Sequence, residues 1–250
     1  MDGPDHGYHG EQVAFYDRQV GDRGDAAFYR DRALAADGPA LELACGTGRV
    51  YLELLRAGVD ADGLDASADA LDRLRTNAAE AGLDPAVRQV DMAAFEADRE
   101  YGLVYCPFNG LQFLRSIEAQ DELFRRVHDA LALGGEFVFD LFIPRFDVIC
   151  EEYGEWRSES VEFRGDPHEF RTRTRIVDEV SQAFRVEDEL YDADGERVFA
   201  ESRRLKLLPK REVELLVRRS PFDEWTVAGG FDGSSLEHGD DVQVWTLRTG

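Results

Sequence analysis

Leu41-Glu42-Leu43-Ala44-Cys45-Gly46-Thr47-Gly48-Arg49 ends an apolar run in a glycine-rich turn, and a helical pattern, Val50-Tyr51-Leu52-Glu53-Leu54-Leu55, follows at once and stops at Gly58. Strand, tight loop and helix in that order are the first step of a doubly wound α/β domain. Gly46 and Gly48 carry no Cβ, so the backbone turns sharply there and a ligand can lie against it. The helix start behind them offers N–H groups to polar or anionic parts of such a ligand.

The kind of ligand follows from what is missing. A dinucleotide fingerprint needs a small residue three positions after the second glycine, and this chain has Tyr51 there, which disfavours NAD or FAD. No Gly-Lys-Ser/Thr follows, so the turn is not a nucleoside-triphosphate loop. The pattern E-x-x-C-G-T-G from Glu42 to Gly48 resembles the first motif of the class I S-adenosylmethionine (SAM) dependent methyltransferases, with Ala44 where many members carry a glycine. That resemblance implies a Rossmann-like, doubly wound sheet of seven strands, SAM as cofactor, and a SAM site at Glu42, Ala44, Cys45, Gly46 and Gly48.

Residues at fixed distances extend the reading. Asp65 ends a second short apolar segment nineteen positions after Gly46, the spacing at which a carboxylate accepts from both ribose hydroxyls. Ala66 adjoins it, and Ser67 caps the next helix. Ala86 to Val90 reads as a third strand leading into Asp91-Met92. In the resembled family that junction holds adenine: Asp91 accepts from the exocyclic amine and Met92 packs on the ring, although an aspartate there also suits a helix cap. Tyr101 to Tyr105 is the fourth strand, opening into Cys106-Pro107-Phe108-Asn109-Gly110, where the family places its reacting centre. Pro107 joins the SAM set by that resemblance. Asn109 either orients the acceptor or methionine group or merely makes a turn before glycine. The segment is not the acid-or-Asn, two prolines and aromatic of nucleic-acid amino methyltransferases.

Upstream, Glu11 to Ala35 carries aromatics at helical intervals and a break at Val20 to Asp25, hence two short helices. The family's N-terminal segment lies across the cofactor mouth, so Tyr16 and Tyr29 either close over ligand or pin the segment to the core. Residues 1–10 are polar and glycine-rich, read as a mobile terminus, and His6 and His9 are read as solvated rather than metal-binding. No metal site is expected, and no catalytic residue can be assigned.

Downstream, Ser116 starts an amphipathic helix with Ile117, Leu123, Phe124, Val127 and Leu131 inward, stopped by Gly134-Gly135; His128 is expected to face water. Glu136 to Phe142, nearly all apolar, is a strand buried on both faces. From about Pro144 the pattern becomes alternation, with β-stretches near 156–163, 170–177, 183–191 and 197–208 and a turn at Asp192-Ala193-Asp194-Gly195. The expected division is a cap at 1–36, a SAM-binding core at 37–143 and 209–250, and an antiparallel β lid for the acceptor at 144–208. Arg171, Arg173 and Arg175, with Arg203-Arg204, are expected on one face, paired with the lid's own carboxylates.

Composition limits the partners. Acidic residues outnumber basic ones 52 to 29, the net charge is −23, and Lys206 and Lys210 are the only lysines. Such a surface suits a salt-saturated cytoplasm, or an ordinary acidic protein from a G+C-rich organism. A phosphate backbone would be repelled, so no nucleic acid is expected. Cys45, Cys106 and Cys150 are odd in number and unpaired by spacing, and read as buried free thiols. With no signal segment and no membrane-length apolar run, an intracellular, cytoplasmic protein is expected. The reaction implied is in-line transfer of methyl from SAM to N or O of a small molecule. A SAM-binding regulator without turnover and an NAD-dependent oxidoreductase are the alternatives. A protein or RNA methyltransferase is a third, and the charge argues against RNA.

Overall fold

The computed structural model describes residues 10–19 and 23–250. His6, His9 and the stretch 20–22 lie outside the described residues. On either side of that stretch stand two helices, α1 (Gly10–Gln19) and α2 (Asp25–Ala35). The quoted turn leaves β1 (Ala40–Leu43) and enters α3 (Tyr51–Arg56). β2 (Ala61–Asp65), α4 (Ala68–Glu80), β3 (Ala86–Gln89) and β4 (Tyr101–Cys106) follow. A short 3-10 turn (Gly110–Phe113), α5 (Ile117–Ala130) and β5 (Leu131–Phe142) complete the first pass.

These strands and the last two, β10 (Glu224–Ala228) and β11 (Val242–Arg248), form one seven-stranded sheet in the order β10-β11-β5-β4-β1-β2-β3. β11 is antiparallel to both β10 and β5, while the other pairings are parallel. Alternation along the strands sorts side chains onto two faces. Leu41, Leu43, Val104, Cys106, Phe137, Phe139 and Leu141 pack in one core with Leu123, Phe124 and Val127 of α5. Ala40, Leu103, Tyr105 and Val138 face the other way, against Tyr29, Leu54, Leu71 and Leu74 from α2, α3 and α4. Glu42 and Asp140 fall on this second face by the same alternation, and both are buried polar groups.

A second sheet follows a linking helix, α6 (Phe146–Glu152), which the polar–apolar alternation did not reveal and which buries no residue. Its strands β6 (Arg157–Phe163), β7 (Asp166–Asp178), β8 (Ala183–Tyr191) and β9 (Arg197–Lys206) are antiparallel in consecutive order. Gly195, at φ 80°, makes the β8–β9 turn, where Asp192 N–H donates to the Glu196 carbonyl at 3.0 Å. α7 (Lys210–Arg219) returns the chain to the large sheet. The predicted arginines do pair within the small sheet: Arg173 and Arg175 with Glu187, Arg171 with Glu169, Arg203 with Asp188, Arg204 with Asp178. Arg203 and Arg204 are adjacent on a strand, however, so they point to opposite faces rather than sharing one.

Four local expectations need correction. α5 stops at Ala130, because Leu131 is already extended and starts β5, and Gly134 instead makes a positive-φ bend inside that strand. Ile117 is 53% exposed, since Gln120 takes the inward place in the first turn and its side chain donates to the Leu114 carbonyl at 2.8 Å. His128 is half-buried edge-on to Phe222, with ring centroids 5.3 Å apart. Cys45 and Cys106 are buried free thiols, but Cys150 is exposed, because α6 packs nothing inward.

Candidate functional site

The carboxyl ends of β1 to β5 surround a cavity of about 440 Å³ at the point where strand order reverses between β1 and β4. Ala44, Cys45 and Gly46 from the quoted turn form its floor, Asp65 and Ala66 one side, Asp91 and Met92 the far end. Pro107, Phe108 and Asn109 form the opposite side, and Thr174, Phe184, Val186, Arg203 and Leu205 of the small sheet close the top.

The turn is built for a ligand at one glycine and for packing at the other. A Cβ on Gly46 would meet nothing within 4 Å, although the residue lines the cavity, so the backbone there is open to a bound group. Gly48 does not line the cavity, contrary to expectation. Its φ is +91°, and a Cβ would meet Leu74 Cγ at 2.9 Å and Leu52 Cγ at 3.0 Å, so glycine there lets α3 close on α4. Ala44 stands at φ 56°, a left-handed conformation costly to any residue with a side chain.

Asp65 closes the turn from β2. Its Oδ2 accepts from Gly46 N–H at 2.8 Å and its Oδ1 from Ser67 N–H at 2.7 Å, while burial pushes its carboxyl above the usual range. The Gly46 donor that a pyrophosphate would need is therefore held by a carboxylate. Tyr51 is fully buried: its hydroxyl donates to the Ala61 carbonyl at 2.9 Å and accepts from Ala86 N–H at 3.0 Å, tying β2 to β3. A ring fills the place where dinucleotide-binding folds need a small residue. Asp91 Oδ1 accepts from Ala93 N–H at 2.8 Å, a turn bond, in a carboxylate that also lines the cavity.

A buried acidic wall lies on the other side of the turn. Glu42 accepts from Tyr105 O–H at 2.6 Å, and burial, opposed by that bond and by Arg49, pushes its carboxyl up to about 8. Asp140 Oδ1 accepts from Tyr29 O–H at 2.7 Å and from Phe108 N–H at 2.9 Å; burial, opposed by those bonds, raises it to about 6. Arg49 grips the buried Asp25 bidentately, both contacts at 2.6 Å.

Tyr16 lines the cavity; Tyr29 does not, being fully buried, stacked on Tyr105 at 5.1 Å and bonded to Asp140, so it pins α2 to the sheet. Asn109 lines the cavity in a left-handed conformation, φ 64°, with its Oδ1 accepting from Phe142 N–H at 2.6 Å; this is the turn role, tying the loop after β4 to the end of β5. Phe108 before it is left-handed too, at φ 53°, and carries the Arg23 guanidinium 4.6 Å above its ring.

Sequence reasoning missed Asp140, Asp25, Arg49 and Gln112. Asp140 was detectable as a lone charge inside the apolar run Phe137 to Phe142. Gln112, 1% exposed and lining the cavity, had no such signal. Among the described residues no three His, Cys, Asp or Glu side chains gather as a metal would require, and no helix is long and apolar enough to cross a membrane.

Residues 40–135 match a family model described as a methyltransferase domain. Over those residues the chain carries a methyltransferase domain. SAM is the cofactor of that family, and the residues present fit it: an open glycine, a buried carboxylate at the β2 end, a second acid and a thioether beyond. Solved structures agree with the fold. A SAM-dependent methyltransferase from Clostridium acetobutylicum ATCC 824 superposes with TM-score 0.77 at 16% identity, covering 94% of each chain. An amino pentose methyltransferase from Micromonospora echinaspora, solved with SAM bound, gives 0.70 at 23% identity over 98% of this chain and 100% of that one. The sugar N-methyltransferase KedS8 from Streptoalloteichus sp ATCC 53650 gives 0.74 at 19% identity, covering 100% and 99%. No curated protein sequence matches the chain.

Proposed function

We propose that this methyltransferase moves the methyl group of SAM to an amine nitrogen of a small, sugar-like acceptor held beneath the four-stranded sheet. The observation that carries this reading is the continuity of one cavity from Asp65 and Asp91 to the inner face of that sheet, which leaves room for a second molecule above the turn. The choice of nitrogen and of a sugar follows the two neighbours that act on an amino pentose and on a sugar nitrogen.

In this reading residues 37–143 and 209–250 hold SAM, residues 144–208 close over the acceptor, and the N-terminal helices cap the mouth. Asp65 accepts from the ribose hydroxyls, Asp91 from the adenine amine, and Met92 packs on the base. The open backbone at Ala44, Cys45 and Gly46 lies along the nucleoside, with Ala66 and Pro107 as its apolar flanks. Glu42, which lines the cavity beside the turn, would hold the ammonium end, and a nearby cation would favour its charged form. Bound SAM supplies a methyl group on a sulfonium, a good leaving group. The protein's work is therefore to align a neutral amine with that methyl and to exclude water. Tyr16, the loop from Pro107 to Asn109 and the apolar inner face of the small sheet supply that enclosure. No general base is required of the chain when the acceptor nitrogen arrives unprotonated.

The test is transfer from methyl-labelled SAM to D-glucosamine, D-galactosamine and an aminopentose, beside the corresponding hydroxyl-only sugars. Label on the amines alone supports the reading. Label on the hydroxyl sugars overturns the choice of nitrogen. Binding of SAM in a calorimeter without transfer, here or to small molecules of a cell extract, returns the regulator alternative.

A further inference from the structure

We propose that Gln112 recognises the methyl acceptor, its side-chain Nε2 donating a hydrogen bond to a hydroxyl or ring oxygen of that molecule at the seam between the two sheets. The inference rests on the small-molecule methyltransferase reading above. Gln112 lies in the short 3-10 turn after β4, held there by its backbone N–H on the Asn109 carbonyl at 2.9 Å. The residue is 1% exposed and lines the cavity, while Nε2 is closed off from solvent and has no hydrogen-bond partner, so an acceptor in the cavity meets it once the terminal amide turns toward the opening. Gln120 Oε1 and Arg185 Nε share that condition, but their residues do not line the cavity. A buried amide donor without a partner is costly, and leucine or methionine would fill the same space without that cost. Glutamine here is accounted for by something that enters the cavity and accepts its hydrogen bond.

Position decides which ligand that is. The nucleoside end of the cavity is marked by Asp65 and Asp91, at the ends of β2 and β3. Gln112 follows β4, which is separated from β3 by β1 and β2 in the sheet, a span of about 14 Å at the usual strand spacing. The turn that carries Gln112 packs instead against β5 and β9, and β9 belongs to the small sheet. Around it the cavity wall is mostly apolar, with Phe142, Phe184 and Leu205, and the Arg203 guanidinium there is engaged by Asp188 at 2.7 Å. Apolar walls with one directed donor fit a compact ring that has an apolar face and an oxygen at its edge, as an aminohexose has.

The experiment compares wild type with Gln112→Met, which removes the donor and keeps the volume, and with Gln112→Leu as a second apolar replacement. Without ligand, the melting temperature of Gln112→Met is expected to rise by about 2 °C or more, because a buried unpaired group has been removed. Affinity for S-adenosylhomocysteine, measured by calorimetry, is expected to stay within about twofold. With the aminohexose that wild type methylates, KM is expected to rise about 3- to 10-fold while kcat changes less. A fall in melting temperature in both variants overturns the proposal, because the amide then has a partner inside the protein. A roughly tenfold loss of S-adenosylhomocysteine affinity also overturns it and assigns Gln112 to the cofactor, and an unchanged KM removes it from acceptor recognition. If wild type methylates no aminohexose, the sugar reading fails by itself, and the melting and calorimetric results still decide whether the donor is kept for a molecule other than SAM.

Discussion

Single side chains carry most of the site's chemistry, and three of them give expectations that can be measured separately. Asp65 holds the turn and, in the proposed complex, the ribose. Exchanging it for alanine should weaken S-adenosylhomocysteine roughly 10- to 100-fold by calorimetry, the cost of losing hydrogen bonds to a charged acceptor. Ala44 occupies a left-handed conformation that glycine adopts freely, so Ala44→Gly should leave stability unchanged or raise it by up to about 1 kcal/mol in chemical denaturation. Glu42 gives a pH dependence. Its folded value of about 8 lies above the ordinary carboxylate range, so between those limits the folded protein holds a proton that the unfolded chain releases. Its contribution to stability is therefore complete in acid and is lost as pH rises from about 5 to 8, with a slope approaching ~1.4 kcal/mol per pH unit. Glu42→Gln, which keeps the Tyr105 bond and cannot ionise, should flatten the melting temperature of the ligand-free protein in the upper part of that window, from about 6 to about 8, below which the raised Asp140 still titrates.

At the level of elements, α1 stands out as a bridge. Phe15 inserts among Phe163, Phe170 and Phe199 of the small sheet, with ring centroids 4.9 to 5.6 Å away, and Gln12 donates to Asp188 of β8 at 3.2 Å. On its other side Asp17 accepts from Arg73 and Asn77 of α4 at 3.0 and 2.9 Å, so one helix of ten residues touches both sheets' layers above the cavity. An isolated helix of that length is marginal in water, and its order depends on those contacts. Phe15→Ala should therefore speed amide exchange across 10–19 at least about tenfold while leaving β1, β4 and β5 protected, as exchange mass spectrometry would show. Equal acceleration in the core strands would mean that α1 is part of the global fold rather than a strap on it. The four strands of the small sheet were readable from their polar–apolar alternation and the turn between β8 and β9. α6 was not readable, because a helix that buries nothing leaves no apolar stripe.

For the molecule as a whole, charge is the dominant long-range quantity. Among the described residues many ion pairs are solvent-exposed, as at Arg125–Glu122 and Arg75–Asp72, and each contributes little. A net charge of −23 repels itself at low ionic strength, and the screening length shortens from about 10 Å at 0.1 M salt to about 3 Å at 1 M. The melting temperature should therefore rise between 0.1 M and 2 M KCl. A continued rise and retained transfer activity toward saturation would favour the salt-saturated origin, whereas a plateau near 0.5 M would favour the ordinary acidic protein.

The order of strands and helices apart from α6, the glycine turn, Asp65 and Asp91 were legible in the sequence, because each is a local pattern or a fixed count along the chain. Period, turn chemistry and spacing are properties that neighbouring residues already possess. The split between Tyr16 and Tyr29 was not legible. Both are tyrosines on short helices, and what separates them is Asp140, 111 positions from Tyr29, which takes the Tyr29 hydroxyl into the core. Gly48 likewise looked like a ligand glycine until α4 brought Leu74 against it. Gln112 has meaning only once β9 and β5 flank its turn and leave Nε2 without a partner. Burial and partnership belong to pairs of residues distant in the chain, so only the tertiary fold could decide them.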